Sequence, residues 1–415
     1  MNYKTFFLGK KIAIVGLGHH GEMISDIRFL LRNGADLTLY DMRSEARLHG
    51  FIKTLKEIGL VNYNLGKINA DELSKAELII LSAEISRNSV FLKMAQRAGV
   101  QIEYPELLFL KMSPAITIIG VIGVYGKSTV AHMLYEMLKK SFKDYEGQGL
   151  CFIDPDLPNG ALTRLKKIKP GDVVLARIPE ERLGEYHFAR ISPHVAVITS
   201  LVPFGILEYQ TYNNFIVAPN IVVDSIRLQN SFNQKAKILR TRSENSTLAC
   251  ETATLFKVSH DTAQRVIDDF SGLRGRRELI KKVNGIEFYN DATSVHPLST
   301  LFALQSLSIN RNITLIFGGA YTGRDYSELI KNIPQYVSTA ILLPGSGTIG
   351  FRADVEALKD IILLHAHTLE EAVILAREHA KKGDRVLFSP GCEAIGIHIS
   401  RKERGEKFVK AVRAL

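Results

Sequence analysis

Apolar residues recur along the chain in short runs separated by amphipathic stretches, and this alternation predicts most of the architecture. In the first 110 residues KIAIVGLG, ADLTLYD and ELIILSA read as strands, while GEMISDIRFLLRNG and SVFLKMAQRAGV carry apolar positions at helical spacing. A second series opens with AITIIGVIGV and continues through VVLARI and HVAVITSL. A third follows FSGLRGRREL, with NITLIFGG, TAILLPGSG and RVLFSPG as strands and SELIKNI and LEEAVILAREHAKKG as helices. Strands alternating with helices imply crossover units and parallel sheets, so the expected fold class is α/β. Three domains follow, with boundaries near 112 and 275: residues 1–112, 113–275 and 276–415. The helix within LEEAVILAREHAKKG should run to Lys381 and Lys382, whose charges suit its negative end, and stop at Gly383.

Composition narrows the class. At about 150 residues per domain, 415 residues exceed one ordinary core, and 46% hydrophobic with 23% charged residues is a globular composition, not a disordered one. The net charge of +10 suits a polyanionic ligand, but a solvated lysine surface produces the same count. No basic run is interleaved with aromatics, so no nucleic-acid partner is expected. Cys151, Cys250 and Cys392 lie roughly 100 residues or more apart, which fits buried free thiols in a reducing compartment better than a metal or disulfide framework. The segment MNYKTFFLGKK lacks a signal-peptide apolar core, and ITIIGVIGV falls short of the ~20 residues of a membrane helix. A cytoplasmic monomer with no membrane span is expected.

Two glycine-rich turns carry the candidate chemistry. Gly16, Gly18 and Gly21 of GLGHHG follow a strand and open a helix, and Asp41 ends the next strand twenty residues after Gly21. Glycines there let the backbone approach a phosphate at a helix N-terminus, and a carboxylate at that spacing can take ribose hydroxyls. The second turn, GVIGVYGKST at residues 120–129, resembles a triphosphate loop, although Val121 stands where the full GxxxxGK[ST] pattern has glycine. Successive N–H groups across Gly123, Val124, Tyr125 and Gly126 would cradle phosphate oxygens, and the Lys127 ammonium would neutralise the terminal phosphates. Ser128 or Thr129 would ligate Mg²⁺ accompanying ATP.

The order of these turns, together with FSGLRGRRE at 270–278, YNDATSVHP at 289–297, IFGGAYTGRDYSEL at 316–329 and FSPGCEAIGIHISRKERGEKF at 388–408, resembles the Mur ligase family over nearly the whole length. The resemblance implies a Rossmann-like UDP-sugar domain, a central P-loop ATP domain with a mostly parallel sheet, and a Rossmann-like C-terminal domain. It implies ATP-dependent phosphorylation of a carboxylate on a UDP-N-acetylmuramoyl peptide, followed by attack of an amino acid's amine. The strongest likeness is to the branch that adds D-glutamate to UDP-N-acetylmuramoyl-L-alanine. It places Gly16, Leu17, Gly18, His19, His20, Gly21, Asp41 and Arg43 near UDP. It also places Asn290 and Asp291 near the ATP ribose and brings Arg276, with Lys127, to the reacting phosphates.

Several family positions are changed. Ala176 stands at the Mg²⁺-binding glutamate, Phe204 at the metal-binding histidine and Pro219 at the carbamoylated lysine. The His-Asn pair before the next helix appears as RSENS. Thr293, Thr322 and Ala394 replace two lysines and a serine that hold the amino acid. Glu180, Glu181, Arg324 and His296 are the nearby side chains that could substitute. These losses raise a rival reading, a catalytically impaired paralogue that binds nucleotide and acts as a regulatory or scaffolding protein. A nicotinamide oxidoreductase built on GLGHHG would leave GVYGKST and NDATSVHP unexplained, and a nucleic-acid-stimulated ATPase has no reading motif.

Overall fold

The computed structural model describes all residues except 1, 19, 20, 61, 86, 88, 143–148, 156, 158, 159, 180, 181, 201–220, 225–236, 241–244, 322 and 395–399. At 187, 221–224 and 237–240 only the backbone is described. Internal contacts divide the chain into two compact units, Met1–Asp268 and Asp269–Leu415.

The first unit holds two sheets. β1 (Lys11–Val15), β2 (Asp36–Asp41), β3 (Asn62–Leu65), β4 (Leu78–Leu81) and β5 (Gln101–Glu103) pair in parallel in the order β3-β2-β1-β4-β5. The central strands are buried along their length, as a sheet covered on both faces requires. β6 (Thr117–Ile122), β7 (Leu150–Ile153), β8 (Val173–Arg177), β9 (Val195–Ile198), β10 (Ile221–Asp224) and β11 (Lys237–Arg240) form a second parallel sheet, ordered β11-β10-β9-β6-β8-β7. In both sheets a glycine turn leaves the carboxyl end of a middle strand, β1 or β6, where open α/β sheets bind ligands.

These two sheets are fastened together. One buried apolar cluster runs from Phe7 to Ile198 and includes residues of both. Asp26, buried in the helix Ile24–Arg32, accepts a 2.8 Å hydrogen bond from the Leu162 amide at the start of the 3₁₀ turn Leu162–Lys166. Arg182 stacks 3.4 Å from the Tyr104 ring and donates to the Ala83 carbonyl at 2.6 Å, while Arg87 pairs with Glu185 at 2.7 Å.

The second unit contains β12 (Glu278–Val283), β13 (Ile286–Asn290), β14 (Ile313–Phe317), β15 (Val337–Leu342), β16 (Ile362–His365) and β17 (Arg385–Phe388), ordered β12-β13-β17-β14-β15-β16. All pairs are parallel except the β12–β13 hairpin. That hairpin was not among the expected strands. Its turn is Asn284-Gly285, both at positive φ (51° and 84°), the conformation a two-residue hairpin needs. The helix expected to reach Lys382 instead spans Leu369–His379, and Ala380 is already extended (φ −81°, ψ 146°). There the Asp384 carboxylate accepts from the Lys381 amide at 2.7 Å, and that turn competes with another helical turn.

Candidate active site

The central turn is built from a strand, four loop residues and a long helix. β6 ends at Ile122 and the helix Lys127–Phe142 begins at the lysine itself. Gly123 and Gly126 have φ of 143° and 85°, so both need glycine. Neither has room for a side chain: a Cβ on Gly123 would lie 2.3 Å from the Thr199 hydroxyl, and one on Gly126 would lie 2.6 Å from Asn245 Oδ1. Helix geometry leaves the amides of the first turn, Lys127 to Thr129, without intrahelical acceptors, a positive pole aimed away from the sheet.

Lys127 is buried and folds back over the turn, donating to the carbonyls of Gly123 and Val124, the latter at 3.1 Å. From the end of β9, Ser200 Oγ accepts from the Val124 and Tyr125 amides at 2.8 and 3.1 Å, and Thr199 Oγ1 lies 2.5 Å from the Tyr125 carbonyl. Two donors that a phosphate would claim are therefore held by a serine hydroxyl. Thr199, Ser200 and Asn245 were not singled out from sequence. Asn245 belongs to RSENS, and a Thr-Ser pair ending the strand beside β6 was the available signal.

Position 176 lies within the strand beside β6. Ala176 is buried in β8, and Arg177 follows it, paired with Asp154 at 2.6 Å. Among the described residues no group of three or more His, Cys, Asp or Glu side chains is arranged to hold a metal ion. Ser128, the Mg²⁺-ligand position expected from the sequence, is buried in the first turn of the helix Lys127–Phe142. Glu180, Glu181, Phe204, Pro219, His19, His20 and Thr322 lie outside the described residues.

The N-terminal turn holds Gly16, Gly18 and Gly21 at φ of 80°, 84° and 74°. Asp41, at the end of β2, accepts from the Leu17 amide at 3.0 Å. Arg43 grips the same carboxylate through Nε (2.9 Å) and Nη2 (2.6 Å), and Nη2 also donates to the Gly18 carbonyl at 3.0 Å. Burial would raise the Asp41 pKa, but the Arg43 hydrogen bonds and charge outweigh it and hold the carboxyl below its ordinary value. The Gly18 amide donates to Glu84 at 3.0 Å.

In the second unit, Asp291 and Arg276 lie close in the fold. The 273–277 turn is pinned to the loop after β13: the Arg277 amide donates to Asp291 Oδ1 at 3.1 Å, and Thr293 Oγ1 donates to the Gly275 carbonyl at 2.8 Å. Asp291 Oδ2 also accepts from Ser294 (2.6 Å) and Ser389 (2.7 Å), and burial raises its pKa despite these bonds. Asn290 Oδ1 accepts from the Ala292 amide, and His296 Nδ1 caps the helix Pro297–Leu307 by accepting from Leu298 at 3.1 Å. His296 and Thr293 thus have structural partners within their own unit. A narrow cleft of about 20 Å³ lies beside Gly318 and Gly319, lined also by His367, Glu393, Ala394 and Arg404. Arg404 is 1% exposed, donates to the carbonyls of Cys392 (2.9 Å) and Ala292 (2.8 Å), and is pushed down to about 10 by burial.

A P-loop on a parallel sheet, joined to one glycine-turn sheet and followed by a second α/β unit, defines the class of ATP-dependent ligases with a Mur-type architecture. The chain belongs to the Mur ligase family: residues 10–103 match the Mur ligase MurD-like N-terminal domain and residues 275–392 the Mur ligase glutamate ligase domain. It is 26% identical to UDP-N-acetylmuramoylalanine–D-glutamate ligase of Roseiflexus sp. (strain RS-1), over 97% of this chain and 98% of that protein. It is 27% identical to the ligase of the same name from Geobacter sp. (strain M21), over 98% of each. Among solved structures, UDP-N-acetylmuramate-alanine ligase MurC of Thermotoga maritima aligns at TM-score 0.62 with 14% identity, covering 98% of this chain and 99% of that one. MurF of the same organism in complex with ADP aligns at 0.56 with 14% identity, covering 99% and 97%. Those two likenesses concern the fold.

Proposed function

We propose that this protein joins D-glutamate to UDP-N-acetylmuramoyl-L-alanine at the expense of ATP, in peptidoglycan precursor synthesis. The observation that carries this reading is near-full-length similarity to ligases of that name, combined with a lysine-tipped phosphate turn at the mouth of a sixteen-residue helix. ATP's γ-phosphorus forms a bond to a carboxylate oxygen of the acceptor as its bond to the β-phosphate oxygen breaks, releasing ADP. The amine of D-glutamate then attacks the acyl carbon, the C–O bond to phosphate breaks, and an amide, phosphate and a proton are released.

Phosphoryl transfer between anions is mainly a problem of position and charge. Lys127 exchanges its two carbonyl acceptors for the β- and γ-phosphates, and the amides of Val124 to Thr129 supply the cradle as Ser200 yields two of them. Within the second unit, Asp291 braces the turn that carries Arg276. Mg²⁺ bound to the nucleotide would withdraw charge from the phosphates, with Ser128 as its protein ligand. Among the described residues no helix is long and apolar enough to cross a membrane.

The test is ADP and amide formation from UDP-N-acetylmuramoyl-L-alanine, ATP and D-glutamate, run against a panel of amino acids. Product that requires D-glutamate supports the reading. ATP binding without turnover under every condition would favour the nucleotide-binding scaffold, the alternative raised by Ala176.

A further inference from the structure

The N-terminal glycine turn has the shape of an anion cradle, yet two of its described amides already donate to the protein's own carboxylates. Leu17 donates to Asp41 and Gly18 to Glu84, both at 3.0 Å. Glu22 crowds the same glycine: a Cβ on Gly18 would lie 2.0 Å from its Oε2. Against Asp41, Glu84 and Glu22, the described cation at the turn is Arg43, whose charge is sensed by all three. Asp41 fits an arginine-paired ribose or base ligand. Glu84 does not fit a diphosphate, because it occupies the amide that a phosphate oxygen needs and carries the same sign.

Glu84 is an exposed acid whose carboxylate accepts from the Gly18 amide. The loop that carries it is anchored on both sides: Arg182 donates to the Ala83 carbonyl at 2.6 Å, and Tyr104 Oη donates to the Ile85 carbonyl at 3.1 Å. Ser82, next to Ala83, is buried against β1, with its hydroxyl 3.2 Å from the Val15 carbonyl. Gly16 has no room for a side chain there, since a Cβ would meet Ser82, Ile85 and Glu84 within 3.1 Å.

We propose that Glu84 is a specificity residue that plugs the phosphate cradle of the first unit, so that a nucleoside diphosphate binds only by displacing its carboxylate. This rests on the reading of that turn as the UDP site. Glu84 opposes the diphosphate and leaves the nucleoside untouched, so the phosphates of a UDP substrate contribute little of the affinity in the wild-type protein.

The experiment is calorimetric titration of the full-length protein with UDP and with uridine, for wild type, Glu84→Gln and Glu84→Ala, with Glu22→Gln as a second charge removal. Expected are at least tenfold tighter UDP binding in both Glu84 variants, a smaller gain in Glu22→Gln, and unchanged uridine binding throughout. UDP affinity that is unchanged or weaker on removing Glu84 overturns the proposal. So does an equal gain for uridine, or the absence of UDP binding in every form. If Glu84→Ala alone loses its folded-state circular dichroism, Glu84→Gln and Glu22→Gln decide the matter. Amide formation by the wild type is scored separately, so a failed ligase assay and a failed plug are distinguishable.

Discussion

Lys127 shows how one side chain can serve two states. With its ammonium on the Gly123 and Val124 carbonyls it neutralises the dipoles of its own turn, and a triphosphate offers stronger, charged acceptors at the same helix mouth. Replacing Lys127 with Ala should lower ADP formation by about 10² to 10³-fold, the scale of one lost charge-stabilising group, while far-ultraviolet circular dichroism stays unchanged. Gly126→Ala should weaken ATP binding more than tenfold in a calorimetric titration. Adding Asn245→Ala should recover only part of that loss, because it removes the 2.6 Å clash and leaves a φ of 85° that alanine adopts poorly. At this scale the sequence displayed the glycines and the lysine but not their partners. Ser200 and Asn245 are distant in the chain and have no local pattern that ties them to the turn.

Among elements, the 3₁₀ turn Leu162–Lys166 depends on a side chain from the helix Ile24–Arg32. Asp26 caps it, and burial, outweighing the Leu162 hydrogen bond, raises the Asp26 pKa to about 7 from 3.8. A raised carboxyl pKa means that the folded protein holds a proton the unfolded chain has released. The stability this confers is present below about pH 4 and is lost as pH rises through 7. Asp26→Asn keeps an acceptor for the Leu162 amide and cannot ionise. Urea unfolding should therefore show the variant gaining on wild type from pH 4 to 7, by about 4 kcal/mol at most, and holding that gain above pH 7. Periodicity revealed the strands of all three sheets that are buried on both faces, because long apolar runs have few alternatives. It missed the β12–β13 hairpin, an edge pair with polar residues on one face and only Asn284-Gly285 to mark it. It overran the helix Leu369–His379, because the Asp384 turn that stops it makes no break in apolar spacing.

For the whole molecule, a ligand that binds only the folded state stabilises it by mass action. Mg-ATP at about 100 times its dissociation constant should add about 2.7 kcal/mol in differential scanning calorimetry, and Lys127→Ala should abolish the gain. A gain that survives in that variant would place the nucleotide elsewhere. The sequence by itself determined the α/β class, both glycine turns, the family resemblance and the positions where family ligands are absent, since each is a matter of residue type and spacing along the chain. Tertiary structure decided what those residues touch. Asp41 is claimed by Arg43, Glu84 fills a cradle formed 66 residues away, Asp291 braces the turn that carries Arg276, and a buried arginine lines the second unit's cleft. Such contacts join distant segments, and both their energy and their sign depend on burial and on which charges the fold brings within a few ångströms.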